Sequence, residues 1–173
     1  IGQRVLRRLN SFGTPRVLVN DLNPDDRLAP QTKLEWTDKE EIYKQADLIS
    51  LHLPLTKQTK NMIRSEHLAL MKPDAILINT SRGGIINEID LANALNSGHL
   101  HGAAIDVFER EPYVGPLADI ERCVLTSHMG SMTVDCRTRM EIEATEEAVR
   151  FLKGLPLERE VPEEEYTVQR AGL

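Results

Sequence analysis

The sequence predicts an α/β fold, a parallel sheet covered by helices on both faces. Two observations carry this. Short apolar runs of strand length alternate with stretches of helical periodicity along most of the chain. Those runs are nearly continuous in apolar character, the pattern of strands buried on both sides. A third observation agrees: the polar residues suited to chemistry lie just past the carboxyl ends of the runs, where open α/β sheets bind ligands.

Taken in order, Ile1-Gly2 leads straight into a helical pattern with Val5, Leu6, Leu9 and Phe12 on one face, stopped by Gly13-Thr14-Pro15. Arg16 to Asn20 is a short strand closed by Asp21, and Asn23 to Gln31 is a polar loop. Leu34-Glu35-Trp36 is a short strand, after which Thr37 with Glu40 makes a capping-box pattern. Asp47 to His52 is the next strand, ending in the loop Leu53-Pro54-Leu55-Thr56. Ser65 caps a short helix to Met71. The central strand, Ala75 to Ile78, opens through Asn79, Thr80 and Ser81 onto Arg82 and two glycines. A helix from about Asn87 to Ser97 follows, stopped by Gly98. Gly102 to Val107 and Cys123 to Thr126 are the last strands. The final helix runs from about Met132 to Lys153, with Met140, Ala144, Ala148 and Phe151 or Leu152 as its buried stripe. Its glutamates form a solvated face, and Pro162 to Leu173 is an acidic tail.

Composition narrows the function. At 173 residues the chain holds one domain with a real core, and 40% hydrophobic with 28% charged residues is ordinary for a soluble globular protein. A net charge of −6 argues against a nucleic-acid surface and offers no basic membrane patch. No apolar run is long enough to span a bilayer. Cys123 and Cys136 lack ligand-like spacing, so they read as buried packing thiols in a reducing compartment, the cytoplasm. No histidine pair has metal-ligand spacing, and His67, His99 and His101 receive no role.

Several residues stand out as candidates. A glycine opening a helix and a following strand that ends in Asp21 match the back half of a dinucleotide-binding unit. In that reading the carboxylate takes the ribose hydroxyls and repels a 2′-phosphate, favouring NAD over NADP; otherwise Asp21 is a strand-end turn residue. Arg82 presents a planar fork suited to a small anion, or else pairs with a nearby acid. The two glycines after it let backbone come close to a ligand. Asp106 ends a strand, Glu111 stands five residues on, and His128 follows the last strand. A carboxylate beside His128 favours the imidazolium and makes an acid–base unit. Read singly, Glu111 is equally a surface acid and His128 a loop histidine.

Three blocks resemble a known family, the D-isomer-specific 2-hydroxyacid dehydrogenases. They are Ala46 to Thr59 (ADLISLHLPLTKQT), Met71 to Gly84 (MKPDAILINTSRGG), and Ala104 to Pro112 (AIDVFEREP) with Ser127 to Gly130 (SHMG). The resemblance covers nearly all of residues 1–153. It implies a Rossmann-like, doubly wound NAD-binding domain over 1–153 that lacks its first strand and early glycines. Residues 154–173 would then return toward a flavodoxin-like substrate domain whose N-terminal part is absent from the sequence. The implied trio is Arg82 on the substrate carboxylate, with His128 and Glu111 as the acid–base pair. For the cofactor it implies Gly2 as the end of the glycine fingerprint, Asp21 on the ribose and Asp106 on the nicotinamide carboxamide. His52, Pro54, Thr59, Thr80 and Ser81 would line the groove, and Gly130 would let backbone approach the nicotinamide. A small 2-oxo or 2-hydroxy acid substrate and a homodimer formed through this domain also follow from the resemblance. Glutamate rather than glutamine at Glu111 argues against formate dehydrogenase. Gly130-Ser131-Met132 lacks the aromatic cluster associated with D-lactate dehydrogenases, which leans the chain to the phosphoglycerate dehydrogenase or glyoxylate/hydroxypyruvate reductase branch. Two other readings stay open. One is an NAD-sensing, corepressor-like binding protein of the same fold; the other is a fragment that binds cofactor poorly and catalyses nothing.

Overall fold

The computed structural model describes residues 1–13, 15–25 and 34–160. Thr14, most of the predicted 23–31 loop and the 162–173 tail lie outside the described residues. In chain order the elements are α1 (Gly2–Leu9), β1 (Val17–Val19), β2 (Leu34–Trp36), α2 (Lys39–Gln45), β3 (Leu48–Leu51), α3 (Ser65–Leu68) and β4 (Ile76–Asn79). Then come α4 (Glu88–Asn96), β5 (Gly102–Ile105), β6 (Cys123–Leu125) and α5 (Val134–Leu152).

All strand pairings are parallel, as the continuous apolar runs predict. The predicted single sheet, however, is two: a pair β1-β2, and a four-stranded sheet in the order β3-β4-β5-β6. Among the described residues β1 pairs only with β2 and β3 only with β4, so the two sheets are not joined by strand pairing. Arg16, just ahead of β1, donates from Nη1 to Gln45 Oε1 of α2 at 2.5 Å, and the start of α1 lies against the ring of His52, just past β3.

Most of the core belongs to the four-stranded sheet and the segments that cover it. Leu77 at the middle of β4, Leu91 and Leu95 of α4, Leu100 and Leu117 are fully buried. Register then sets the rim of the sheet. Asn79 pairs with Ile105 and Ile105 with Leu125, so β4, β5 and β6 end level. The loops that leave them therefore emerge side by side.

Helix starts differ in detail from the sequence reading. Asp38, not Thr37, caps α2, accepting from Glu41 N at 2.8 Å. Thr37 N is still engaged with Val19 O at 3.0 Å, so the chain leaves the β2 ladder one residue later than predicted. Ser65 lies inside α3 rather than capping it, its N–H donating to Asp90 Oδ2 at 2.9 Å. Asn87 caps α4 through Asp90 N at 3.0 Å.

Both terminal helices correct the predicted burial. No residue of α1 is buried, and Phe12 beyond it is exposed. No residue of α5 is buried either, so the predicted stripe of Met140, Ala144, Ala148, Phe151 and Leu152 is exposed. The physical reason is that α5 leaves the rim of the sheet instead of lying along its face. Its acidic side is solvated as expected, with Glu141 and Glu146 exposed, and carries ion pairs: Arg159 reaches Glu147 at 3.4 Å and Glu146 at 3.5 Å, and Arg150 reaches Glu158 at 2.9 Å. Cys123 is buried as predicted, whereas Cys136, on α5, is only half-buried.

Candidate active site

The first piece of the site is built by Asn79, a buried amide at the end of β4. Its Oδ1 accepts from Ser81 N at 3.1 Å and Ser81 Oγ at 2.8 Å, and its Nδ2 donates to Arg82 O at 3.0 Å. One side chain thus shapes the turn that carries the guanidinium. Arg82 is exposed, and Nη1 donates to Ser81 O at 2.6 Å. Among the described residues no carboxylate pairs with it, leaving most of its fork available.

Gly83 explains why this turn sits where it does. A Cβ there would fall 1.9 Å from Phe108 O and 2.0 Å from Phe108 C. The close approach expected of this glycine pair is therefore to the protein's own next loop. Gly84 follows in the left-handed region, φ +77°. The Arg82 turn and the Phe108–Glu111 loop are in backbone contact because residue 83 has no side chain.

His128 and Glu111, the pair expected to work as acid and base, come from the next two strand ends. Asp106 is buried past β5, and its Oδ1 accepts from Thr126 Oγ1 and from Met129 N at 2.9 Å. Its carbonyl accepts from His128 N at 2.9 Å. These bonds hold His128 in the left-handed region, φ 53° and ψ 52°, a conformation that costs a non-glycine residue about 1–2 kcal/mol. The result aims the ring: His128 Nδ1 meets Glu111 Oε2 at 3.3 Å. Glu111 Oε1 accepts from Phe108 N at 3.1 Å, so the carboxylate is oriented by its own loop. Nε2 of His128 has no protein partner among the described residues.

Arg82, Glu111 and His128 line one cleft of about 350 Å³, together with Leu55, Gly83, Val107, Phe108 and Glu109. It is the juxtaposition the sequence reading required.

Besides Asp106, the residues implied for the cofactor sit at the start of α1 and past the ends of β1, β3, β4 and β6. Gly2 opens α1, where a Cβ would come 3.4 Å from His52 Cδ2. His52 Nε2 is 3.1 Å from Ser50 Oγ, and burial lowers its pKa from the ordinary histidine value. Thr59 Oγ1 donates to Pro54 O at 2.7 Å and accepts from Thr56 N at 2.7 Å, bracing the loop past β3. Asp21 is exposed beyond β1, with Oδ1 accepting from Asn23 N at 3.0 Å. Thr80 is exposed, and Gly130 lies in a 3-10 turn with open space where a Cβ would be. Among the described residues no group of three His, Cys, Asp or Glu could hold a metal ion. His67 and His99 are held in local structure, His67 Nδ1 accepting from Arg64 N at 3.2 Å and His99 Nε2 lying 3.1 Å from Leu68 O.

Sequence reasoning missed the roles of Asn79 and Gly83. A polar amide closing an apolar strand was the available signal for Asn79. Nothing local distinguishes a glycine packed on backbone from one packed on a ligand.

The site can be set beside known proteins. The sequence model of "D-isomer specific 2-hydroxyacid dehydrogenase, NAD binding domain" matches residues 1–130. A glyoxylate reductase of Thermococcus litoralis is 39% identical over 155 residues, 89% of this chain and 46% of that protein. The D-3-phosphoglycerate dehydrogenase of Bacillus subtilis is 37% identical over 158 residues, 91% of this chain and 30% of that one. Among solved structures, a glyoxylate reductase from Paecilomyes thermophila superposes with a TM-score of 0.83 at 31% identity, covering 95% of this chain and 50% of that one. D-lactate dehydrogenase with NAD+ from Lactobacillus jensenii gives 0.81 at 28% identity, covering 94% and 52%. The chain thus spans about half the length, or less, of these relatives. With the matched region running from α1 through the turn that bears His128, the chain belongs to the D-isomer-specific 2-hydroxyacid dehydrogenase family and carries sequence of its NAD-binding domain.

Proposed function

We propose that the full-length protein is an NAD-dependent oxidoreductase that interconverts a D-2-hydroxy acid and its 2-oxo acid. The observation that carries this is the shared cleft: a guanidinium free of acidic partners, and an imidazole backed by a carboxylate at 3.3 Å. The relatives named glyoxylate reductase and D-3-phosphoglycerate dehydrogenase support the small 2-oxo acid class.

The residues fit a dinucleotide. The first turn of α1 has N–H groups of Gly2 and Gln3 left over by helix geometry, a place for a pyrophosphate. Asp21 is exposed at a strand end, suited to ribose hydroxyls. Asp106 spends Oδ1 on the His128 loop, and its Oδ2 has no protein partner among the described residues, leaving an acceptor for an amide. His52, Pro54, Thr59, Thr80, Ser81 and Gly130 would border the groove, and residues 1–153 would form the cofactor unit with 154–173 returning from it.

In the reductive direction Arg82 takes the substrate carboxylate in its fork and fixes which face of the carbonyl is presented. A bound nicotinamide supplies the hydride to the carbonyl carbon. As charge grows on the carbonyl oxygen, His128 gives it the proton from Nε2. Glu111, bonded at Nδ1, holds the ring in place and balances the imidazolium charge. In oxidation, neutral His128 receives the hydroxyl proton at Nε2. Pairing of two copies through this domain, and residence in the cytoplasm, belong to the same reading.

A panel of 2-oxo acids offered to the full-length protein with NADH and NADPH tests this. NADH-dependent turnover of at least one small 2-oxo acid is the expected result. Tight NADH binding without turnover of any acid would replace the enzyme with the NAD-sensing reading.

A further inference from the structure

We propose that Glu88, which touches neither substrate nor cofactor in the reading above, is the positioning residue that holds the acid–base loop in register with Arg82. This inference rests on that reading of the cleft. Glu88 is half-buried in the first turn of α4, a favourable place for a carboxylate. Its Oε1 accepts from Glu109 N at 2.7 Å. Among the described residues this is the one hydrogen bond tying the 107–111 backbone to another element; the Phe108 N to Glu111 Oε1 bond at 3.1 Å is internal to the loop.

The placement matters because of what lies on either side. Gly83 presses the Arg82 turn against Phe108 with no room for a Cβ. Five residues later the same chain returns, as Glu88, to grip the next peptide, at Glu109. Contact at Gly83 sets the distance between the two loops, and the Glu88 bond stops the second from sliding along the first. Phe108 is also stacked on Tyr113, with ring centroids 4.2 Å apart and planes at 21°. Glu111 is thereby delivered to His128 Nδ1 from a loop fixed at both ends. Burial raises the Glu88 carboxyl above its ordinary value, an effect the Glu109 N–H partly offsets and the Glu109 charge adds to. Such a site accepts a neutral amide in place of the acid.

Arg82 has its own anchor in Asn79, so the two halves of the site can be loosened separately. Glu88→Ala in the full-length protein should cut kcat about tenfold, a fraction of what a placed acid–base group supplies. KM for the 2-oxo acid should stay near that of the wild type. Glu88→Gln keeps an oxygen acceptor for Glu109 N and should restore most of the rate. In parallel, the proton on His128 Nδ1, bonded to Glu111, should give a downfield NMR signal that Glu88→Ala loses and Glu88→Gln retains. The charged groups around that ring are Glu111 at 3.3 Å and, lining the same cleft, Arg82 and Glu109. A general loss of structure would move KM and kcat together and would not separate the two variants. Unchanged kcat in Glu88→Ala, or a Gln variant as impaired as the Ala, would overturn the proposal. If the wild type turns over no 2-oxo acid, the function fails but the NMR arm still decides: a Nδ1 proton signal that persists in Glu88→Ala overturns the positioning role.

Discussion

The four-stranded sheet and the β1-β2 pair are built from similar apolar runs, yet they end very differently. In β4, Leu77 is 0% exposed, packed among α4, Leu100 and Leu117, while β1 has no buried residue in Val17–Val19. The first region supplies its own neighbours and holds the whole acid–base and guanidinium constellation at its rim. The second, with α1 and α5, has no buried residue in β1, α1 or α5, and Phe12, Phe151 and Leu152 are exposed. A strand's fate is therefore set by what is laid beside it, and the proposed site lies where packing is complete.

The comparison can be broken or sharpened by experiment. The largest effect should come from His128→Ala in the full-length protein: turnover of 2-oxo acids falls by about 10²–10⁴ while NADH titrations monitored by fluorescence still saturate. Unchanged turnover would remove His128 from the mechanism and the chemistry from this rim. Next, Leu77→Ala should cost about 2–5 kcal/mol in denaturant unfolding, whereas Phe151→Ala, at a side chain 73% exposed, should stay within about 0.5 kcal/mol. A large loss at Phe151 in the full-length protein would show that α5 is covered there. Smaller again, Gly83→Ala should cost about 1–3 kcal/mol, since its Cβ would collide with the Phe108 carbonyl, and Gly130→Ala should be neutral for stability. Equal thermal shifts for the two would count against backbone contact between the loops. Arg82→Lys should raise the apparent KM for the oxo acid about tenfold, by losing one arm of a charged fork. An unaltered KM would remove the carboxylate grip. Least disruptive is thiol labelling at neutral pH. Burial pushes the Cys123 thiol up to about 11, so half-buried Cys136 should react while Cys123 waits for unfolding.

Much of this was legible in the residues. Strand-length apolar runs located all six strands; the signal was clearest in β4 and β5, which are flanked by paired strands on both edges, and weakest in β2, where Glu35 interrupts the run. The rim constellation was legible too, since Arg82, Asp106 and His128 each follow such a run directly. Three things were not. The identity of a cap depends on which peptide the preceding strand still holds, as Thr37 and Asp38 show. An amphipathic stripe such as Met140 to Leu152 states that a helix can be covered, never by what. Gly83 and Glu88 act across the gap between two loops, and a spacing along one chain segment carries no record of the other.

The separation of β1 from β3 has a practical consequence. Among the described residues no strand pairs with the outer side of β3, where Leu48 is 55% exposed, and an unpaired strand edge is a template for any extended polypeptide that meets it. A preparation of these 173 residues alone would be expected to associate edge to edge as concentration rises, so solubility would be gained by shielding that border rather than by altering the rim that carries Arg82 and His128.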